Sequence, residues 1–296
     1  MIDATSPYGR GVRIASWSRL VRRLSANRLG FVGGLIVLAA IAVAILAPWI
    51  APFDPNEQNT ANRFAPPFSP GSLLGTDEFG RDVLSRVMYS ARVSLLIAGL
   101  AVTVAGLLGG TIGLAVGYLG GWVDVLVMRV VDALSAIPGL MIGLGVLGLL
   151  GPRIEAVVVA LGIAYSAPFA RISRFAAVTV RSQPYIEASR VLGSSTPRIL
   201  REDVLPNVLP LLMVQVTAML ASAILDEAAF GFLGLSVQPP TASWGSMLTT
   251  GRTYFFHSPT VPLVAGFAVM LVVFGFNLLG DALRDVLDPR SWRGRE

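Results

Sequence analysis

The chain has 296 residues, of which 54% are hydrophobic, 14% are charged and 31 are Gly, with a formal net charge of +5. Soluble domains carry about 25% charged residues, so this composition excludes an ordinary water-soluble globule. All 23 basic residues are Arg, Cys is absent and His257 is the single His, which excludes a GxxxxGK[ST] phosphate loop, a disulfide framework and clustered thiolate or imidazole metal sites.

Residues 1–28 hold six Arg against one acid, Asp3, the pattern of a cytoplasmic tail before an outgoing helix over 29–51. Ala42-Val43-Ala44 resembles a signal cleavage site, but the apolar run continues past it and exceeds the usual core of about 7–15 residues. A polar, Pro-rich segment over 52–93 reads as an external loop. Further spans are predicted at 95–117, 125–150, 154–169, 209–225 and 261–280. Residues 94–282 then form a five-helix core, followed by a cytoplasmic tail over 283–296. The third span is interrupted by Asp124, Arg129 and Asp132, and Pro138 should kink it. The expected fold is therefore all-α, a polytopic membrane protein with six transmembrane helices. Sixteen Arg fall in predicted inside segments, six outside and Arg129 within a span. That asymmetry places both termini, and the loop 172–208, in the cytoplasm. In a membrane protein, the basic excess records topology and contact with anionic lipid rather than nucleic acid.

The cytoplasmic segment PYIEASRVLGSSTPRILREDVLPNVLP, beginning at Pro184, has the marks of two short helices meeting at a turn. Pro184 suits a first helical turn, Gly193 a terminus, and Thr196-Pro197 an N-cap followed by Pro at the first helical position. Pro206 and Pro210 are expected at the start of the next span. Ile186, Ala188, Val191 and Leu192 supply an apolar face, with Glu187 and Arg190 projecting polar groups. Pattern alone leaves two readings, a solvated loop with topological Arg or a short amphipathic helix that docks in a partner groove.

This segment resembles the EAA loop of permease subunits in bacterial ABC importers, whose pattern is EAA, three residues, Gly, nine residues, then I-x-L-P. Glu187, Ala188, Gly193, Leu205 and Pro206 fall in register, with Ser189 in place of the second Ala and Asp203 in place of Ile. Two further segments, LGTDEFGRDVLSRVMYSARVSL from Leu74 and ILDEAAFGFLGLSVQPPTASWGSML from Ile224, are similar to the dipeptide, oligopeptide and nickel transport permeases. Within that group they match the subunit type with an LGTD-x-x-GRD segment. The resemblance implies a type I ABC-importer permease fold and a non-catalytic subunit forming half of a translocation path for short peptides. It also implies a second homologous permease, an external substrate-binding protein and two cytoplasmic ATPase subunits, which carry the ATP and Mg; this chain binds no cofactor itself. Glu187 to Gly193 would form the coupling helix against an ATPase. Nickel or another small solute is the alternative cargo, and an ATPase-independent secondary transporter the alternative class.

Ionisable groups within spans usually face a bundle interior. Arg129 and Asp132, at i and i+3, either neutralise one another or line the path. Gln215, Thr217 and Asn277 are interior polar candidates, with helix-to-helix hydrogen bonding the commoner role. Asp226 and Glu227, at the outer end of span five, are expected either to contact the binding protein or to form a solvent-facing helix end. Gly109 and Gly113 form a small-xxx-small pair suited to close helix packing rather than a phosphate loop. His257 reads as a lone surface residue, and Ser135 has no His to activate it as a nucleophile.

Overall fold

The computed structural model describes residues 27–287; the Arg-rich stretch before Asn27 and the end of the C-terminal tail lie outside the described residues. Helix α1 (Arg28–Ile50) begins where the Asn27 side chain accepts from the amides of Leu29 and Gly30, satisfying donors that a helix start leaves orphaned. Helix α2 (Val83–Ala105) begins at Asp82, whose carboxylate accepts from the Ser85 amide at 2.8 Å. It runs through a π turn at Gly106–Gly110 into α3 (Thr111–Leu119). Helices α4 (Gly121–Ser135) and α5 (Gly139–Leu150) follow, then α6 (Ile154–Arg181). The short helices α7 (Pro184–Val191) and α8 (Thr196–Ile199) lead through a second π turn, Leu200–Val204, into α9 (Leu205–Phe232). Helices α10 (Trp244–Thr253) and α11 (Thr260–Leu287) complete the described fold.

Among the described residues, five helical rods are long and apolar enough to cross a bilayer: Arg28–Ile50, Val83–Leu119, Ile154–Arg181, Thr196–Phe232 and Thr260–Leu287. The expected third span is the exception. Helices α4 and α5 together have the required length and apolarity, but they meet at a bend of 83°. Pro138 sits at the break with an extended backbone, φ −54° and ψ 133°. It has no amide to continue the ladder and disfavours helical geometry in the residue before it.

Three other rods extend beyond their apolar windows. Helix α2 starts at Val83 rather than near 95 because Ser85, Arg86, Ser90 and Ser94 are buried against protein, so their polarity does not mark exposure to water. Helix α6 continues from 169 to Arg181, carrying Arg171 and Arg174 into ion pairs with α4. The span expected to start near 209 is continuous back to Thr196, with Pro206 and Pro210 inside the rod. A proline ring is opposed by the carbonyl four residues earlier; for Pro206 that residue is Glu202, which lies in the widened π turn.

Small residues set the spacing of the bundle. A Cβ added at Gly109 would overlap the Ser166 carbonyl, and one at Gly113 the Ala170 carbonyl and the Ser173 side chain. The α2–α3 rod and α6 therefore approach backbone to backbone, as the small-xxx-small pair suggested. Helix α1 packs along α11, with Gly33 and Gly275 at the contact.

The loop 51–82 has its own braced structure. Asp77 accepts from the Phe79 and Arg81 amides and from Arg81 Nε at 2.7 Å. Arg81 Nη2 reaches Glu78 at 2.8 Å, and Arg86 Nε lies 3.3 Å from Asp77. Arg86 Nη1 also donates to the Pro55 carbonyl at 3.0 Å. The charged letters of LGTDEFGRD are thus spent tying the loop to the head of α2. Burial, reinforced by the adjacent Asp77 carboxylate, holds the Glu78 carboxyl above its ordinary value of 4.5.

Candidate functional site

Helix α7 stands between two long rods, α6 before it and the α8–α9 rod after it. Its inner side is fixed by Ile186, fully buried with Tyr118, Ala177, Ile199, Val204 and Val208. Arg190 lies over the Tyr118 ring at 4.9 Å and donates from Nε to the Tyr118 hydroxyl at 3.0 Å. Burial and then the nearby Asp203 push the Tyr185 hydroxyl above its usual range. The helix closes in a Schellman turn, with Gly193 N donating to Arg190 O at 2.9 Å and Ser194 N to Ser189 O at 3.1 Å. Gly193 has φ +83°, a conformation that costs an L side chain about 1–2 kcal/mol. Ser195, with an extended backbone, occupies the next N-cap position, so Thr196 and Pro197 lie one step further into α8 than their sequence suggested.

The expected apolar face of α7 is divided. Ile186 points inward, whereas Val191 and Leu192 are 83% and 84% exposed at the end of the helix. Glu187, Ala188 and Gly193 share that exposed side, and Ser189 is half-buried. Leu205 and Pro206, in the first turn of α9, are also half-buried. The result is an apolar tip on a helix whose opposite side is locked to the bundle. Only Ser182 and Gln183 separate α6 from α7.

The membrane-embedded candidates land differently from their sequence reading. Asp132 does not pair with Arg129: it accepts from Arg171 Nη2 at 2.8 Å, with the two side chains 57% and 48% exposed. Asp124, four residues from Met128, takes both Nε and Nη2 of Arg174 at 2.5 and 2.6 Å. Helix α6 supplies these partners because it continues past 169, so the i to i+3 neighbour is outcompeted by guanidinium groups on a facing helix. Arg129 is exposed. Gln215 is half-buried and Asn277 exposed, while the Thr217 hydroxyl donates to the Val214 carbonyl of its own helix at 2.8 Å.

Glu227 is fully buried, which overturns its assignment as a contact for an external protein. Ser94 Oγ donates to Oε2 and Ser236 Oγ to Oε1, each at 2.9 Å. Ser94 Oγ in turn accepts from the Trp244 amide at 3.2 Å. This node joins α2, α9 and the segment carrying α10, and the sequence offered no sign of it, because its partners are 133 and 9 positions away. The neighbouring Asp226 is half-buried and accepts from the Tyr165 hydroxyl at 2.6 Å. His257 is exposed, with its ring centroid 5.5 Å from that of Phe64.

Helical rods around a broken span, with a braced helix presented at one end, define a polytopic helical membrane protein. Residues 109–293 match the family described as binding-protein-dependent transport system inner membrane component. Residues 16–67 match the N-terminal transmembrane domain of oligopeptide transport permease C. The chain belongs to the first of these families and is a multi-pass membrane permease of a bacterial transporter. Among its relatives is the dipeptide transport system permease protein DppC of Alkalihalophilus pseudofirmus, 38% identical over 97% of this chain and 94% of that one. The di/tripeptide transport system permease protein DppC of Pseudomonas aeruginosa is 41% identical over 90% and 89%. An inward-facing structure of the MetNI methionine ABC transporter matches with a TM-score of 0.56 and 20% identity, over 69% of this chain and 96% of the matched one. That likeness concerns the fold, the type I ABC-importer arrangement.

Proposed function

We propose that this chain forms half of the translocation path of an ATP-driven importer for short peptides, and that α7 is its handle for a cytoplasmic ATPase. The observation that carries the coupling role is the tip itself. Val191 and Leu192 stand almost fully in solvent on a helix whose other face is locked to the spans, where a partner groove that covers them would gain the burial of both side chains. The peptide cargo is supported by the names of the relatives at 38% and 41% identity.

A peptide cannot cross hydrocarbon unaided, since each unsatisfied backbone group there costs several kcal/mol. A wet path must therefore open to one side at a time. ATP binding draws the two ATPases together, each carries its coupling helix, and α6 and α9 tilt with α7; hydrolysis resets them. The 83° break between α4 and α5 belongs at the path, because interrupted backbone at membrane depth is tolerated only inside protein or beside water. Asp132 and Arg129 lie on the α4 half of that span, with Arg171 of α6 paired to Asp132, and Gln215 and Asn277 are further candidates for the lining. The loop 51–82 faces outward with Phe68, 84% exposed, as its apolar contact for a delivery protein, the role Glu227 cannot fill. Asp226, half-buried and held by Tyr165, remains a candidate for that contact.

The test uses the full transporter in proteoliposomes. Leu192→Glu and Gly193→Pro are expected to insert and purify at normal yield, yet to lower peptide-stimulated ATP hydrolysis and uptake at least about tenfold, since a charge in an apolar pocket costs more than 1.4 kcal/mol. Uptake at the unaltered rate in both variants overturns the coupling assignment.

A further inference from the structure

Between the last turns of α1 and the first half of α2, at the ends joined by the loop 51–82, lies a groove of about 530 Å³. Its walls are Ile41, Ala44, Ile45 and Pro48 from α1 with Leu95 and Leu96 from α2, and two larger groups stand in it, Trp49 and Arg92. We infer that this groove is a binding site for an anionic glycerophospholipid of the leaflet on the loop side, with one acyl chain between the helices and the headgroup phosphate on Arg92.

Three observations converge on that occupant. The walls are aliphatic and belong to segments that cross the bilayer, so the medium filling the groove is lipid. Arg92 is exposed and has no hydrogen-bond or ion-pair partner among the described residues. The acids nearest to it in sequence are already engaged, Asp77 and Glu78 by Arg81 and Arg86, and Asp82 by Ser72 and Ser85. A guanidinium at membrane depth is costly unless it meets a counter-charge or reaches the headgroups. Arg92 lies three positions before the apolar stretch over 95–117, about 4.5 Å along the axis at about 1.5 Å per residue. That places it at the loop-side boundary of the bilayer rather than at the midplane. The third observation fixes the level. Trp49 is 76% exposed at the loop-side end of α1, the position that Trp takes at the headgroup boundary. A phosphate held by Arg92 would then sit beside the indole while its acyl chain descends between Ala44 and Leu96.

The anionic class follows from charge. A zwitterionic headgroup brings its own cation and leaves Arg92 in surplus, whereas phosphatidylglycerol neutralises it and fits the bidentate geometry of a guanidinium. Lipid binding at this groove depends on neither the cargo nor the ATPase.

The experiment is native mass spectrometry of the purified, delipidated transporter titrated with phosphatidylglycerol or with phosphatidylcholine of the same chains. The wild type should hold one more phosphatidylglycerol than Arg92→Gln, with about fivefold tighter apparent binding, as one basic group near a membrane surface contributes about 1 kcal/mol. Arg92→Lys should retain most of this preference. Leu96→Trp, which fills the groove from an exposed position, should remove the bound lipid of either class. Equal occupancy of the two lipids in the wild type, or unchanged phosphatidylglycerol binding in both Arg92→Gln and Leu96→Trp, overturns the assignment. The same follows if Arg92→Gln releases the partner permease and not a lipid, since the groove would then be a subunit contact.

Discussion

A carboxyl group with no exposure to solvent is tolerable only if its lone pairs are occupied, and Glu227 shows how this chain meets that condition. Two serine hydroxyls donate to it, and one of them relays to the Trp244 amide. Replacing Glu227 with Leu strands those hydroxyls, at a cost of about 1–3 kcal/mol for each group left unsatisfied. Gln keeps an acceptor and offers its amide to a hydroxyl that can also accept. We expect Glu227→Leu to lower the thermal midpoint of the purified permease by several degrees and Glu227→Gln to lower it little, as followed by Trp fluorescence. Equal midpoints for Leu and the wild type would show that the node is not structural. At the same scale, Gly193 is required by its positive φ and by its amide, which donates to Arg190; Pro supplies neither.

At the scale of elements, α4 is attached to α6 by two ion pairs of unequal worth. Asp124 is nearly buried and takes Arg174 through two bonds, whereas Asp132 and Arg171 are both about half exposed and share one. Solvent screening reduces the second pair to about 0–1 kcal/mol. Asp124→Leu, which leaves Arg174 beside an apolar contact, should cost clearly more than that. Expression and detergent stability of Asp124→Leu, Asp132→Leu and the double variant Asp132→Leu with Arg171→Leu will rank them. A larger loss for Asp132→Leu than for Asp124→Leu would reverse this ordering. The close packing of α2–α3 on α6 is of another kind: it rests on absent side chains at Gly109 and Gly113, so it gains from dispersion and small-residue approach rather than from charge.

For the whole molecule, the reading requires α7 and the loop 51–82 to lie on opposite sides of the membrane. Because the chain has no Cys, any introduced thiol is unique. Leu73→Cys, exposed on the loop, should react with an impermeant maleimide in intact spheroplasts, and Ser195→Cys should react only after permeabilisation. Labelling in the reverse order would place α7 outside and end the coupling model.

Composition and apolar run length by themselves established an all-helical membrane chain, since about 20 apolar residues have few alternatives to a spanning helix. The Pro138 break and the Schellman Gly at 193 were also legible, because each follows from the local backbone chemistry of a single residue. The ends of α2, α6 and α9 were not, since hydropathy windows stop at charged or serine-rich turns that here remain helical by packing against other rods. Nor could sequence choose the partners of Asp132 and Glu227. Arg171 and Ser94 lie 39 and 133 positions away, and a local rule such as i to i+3 pairing is blind to a facing helix. Tertiary structure alone decided which side of α7 is free, because a short amphipathic pattern says that one face will be buried without saying that Ile186 will fill the core and leave Val191 and Leu192 in solvent.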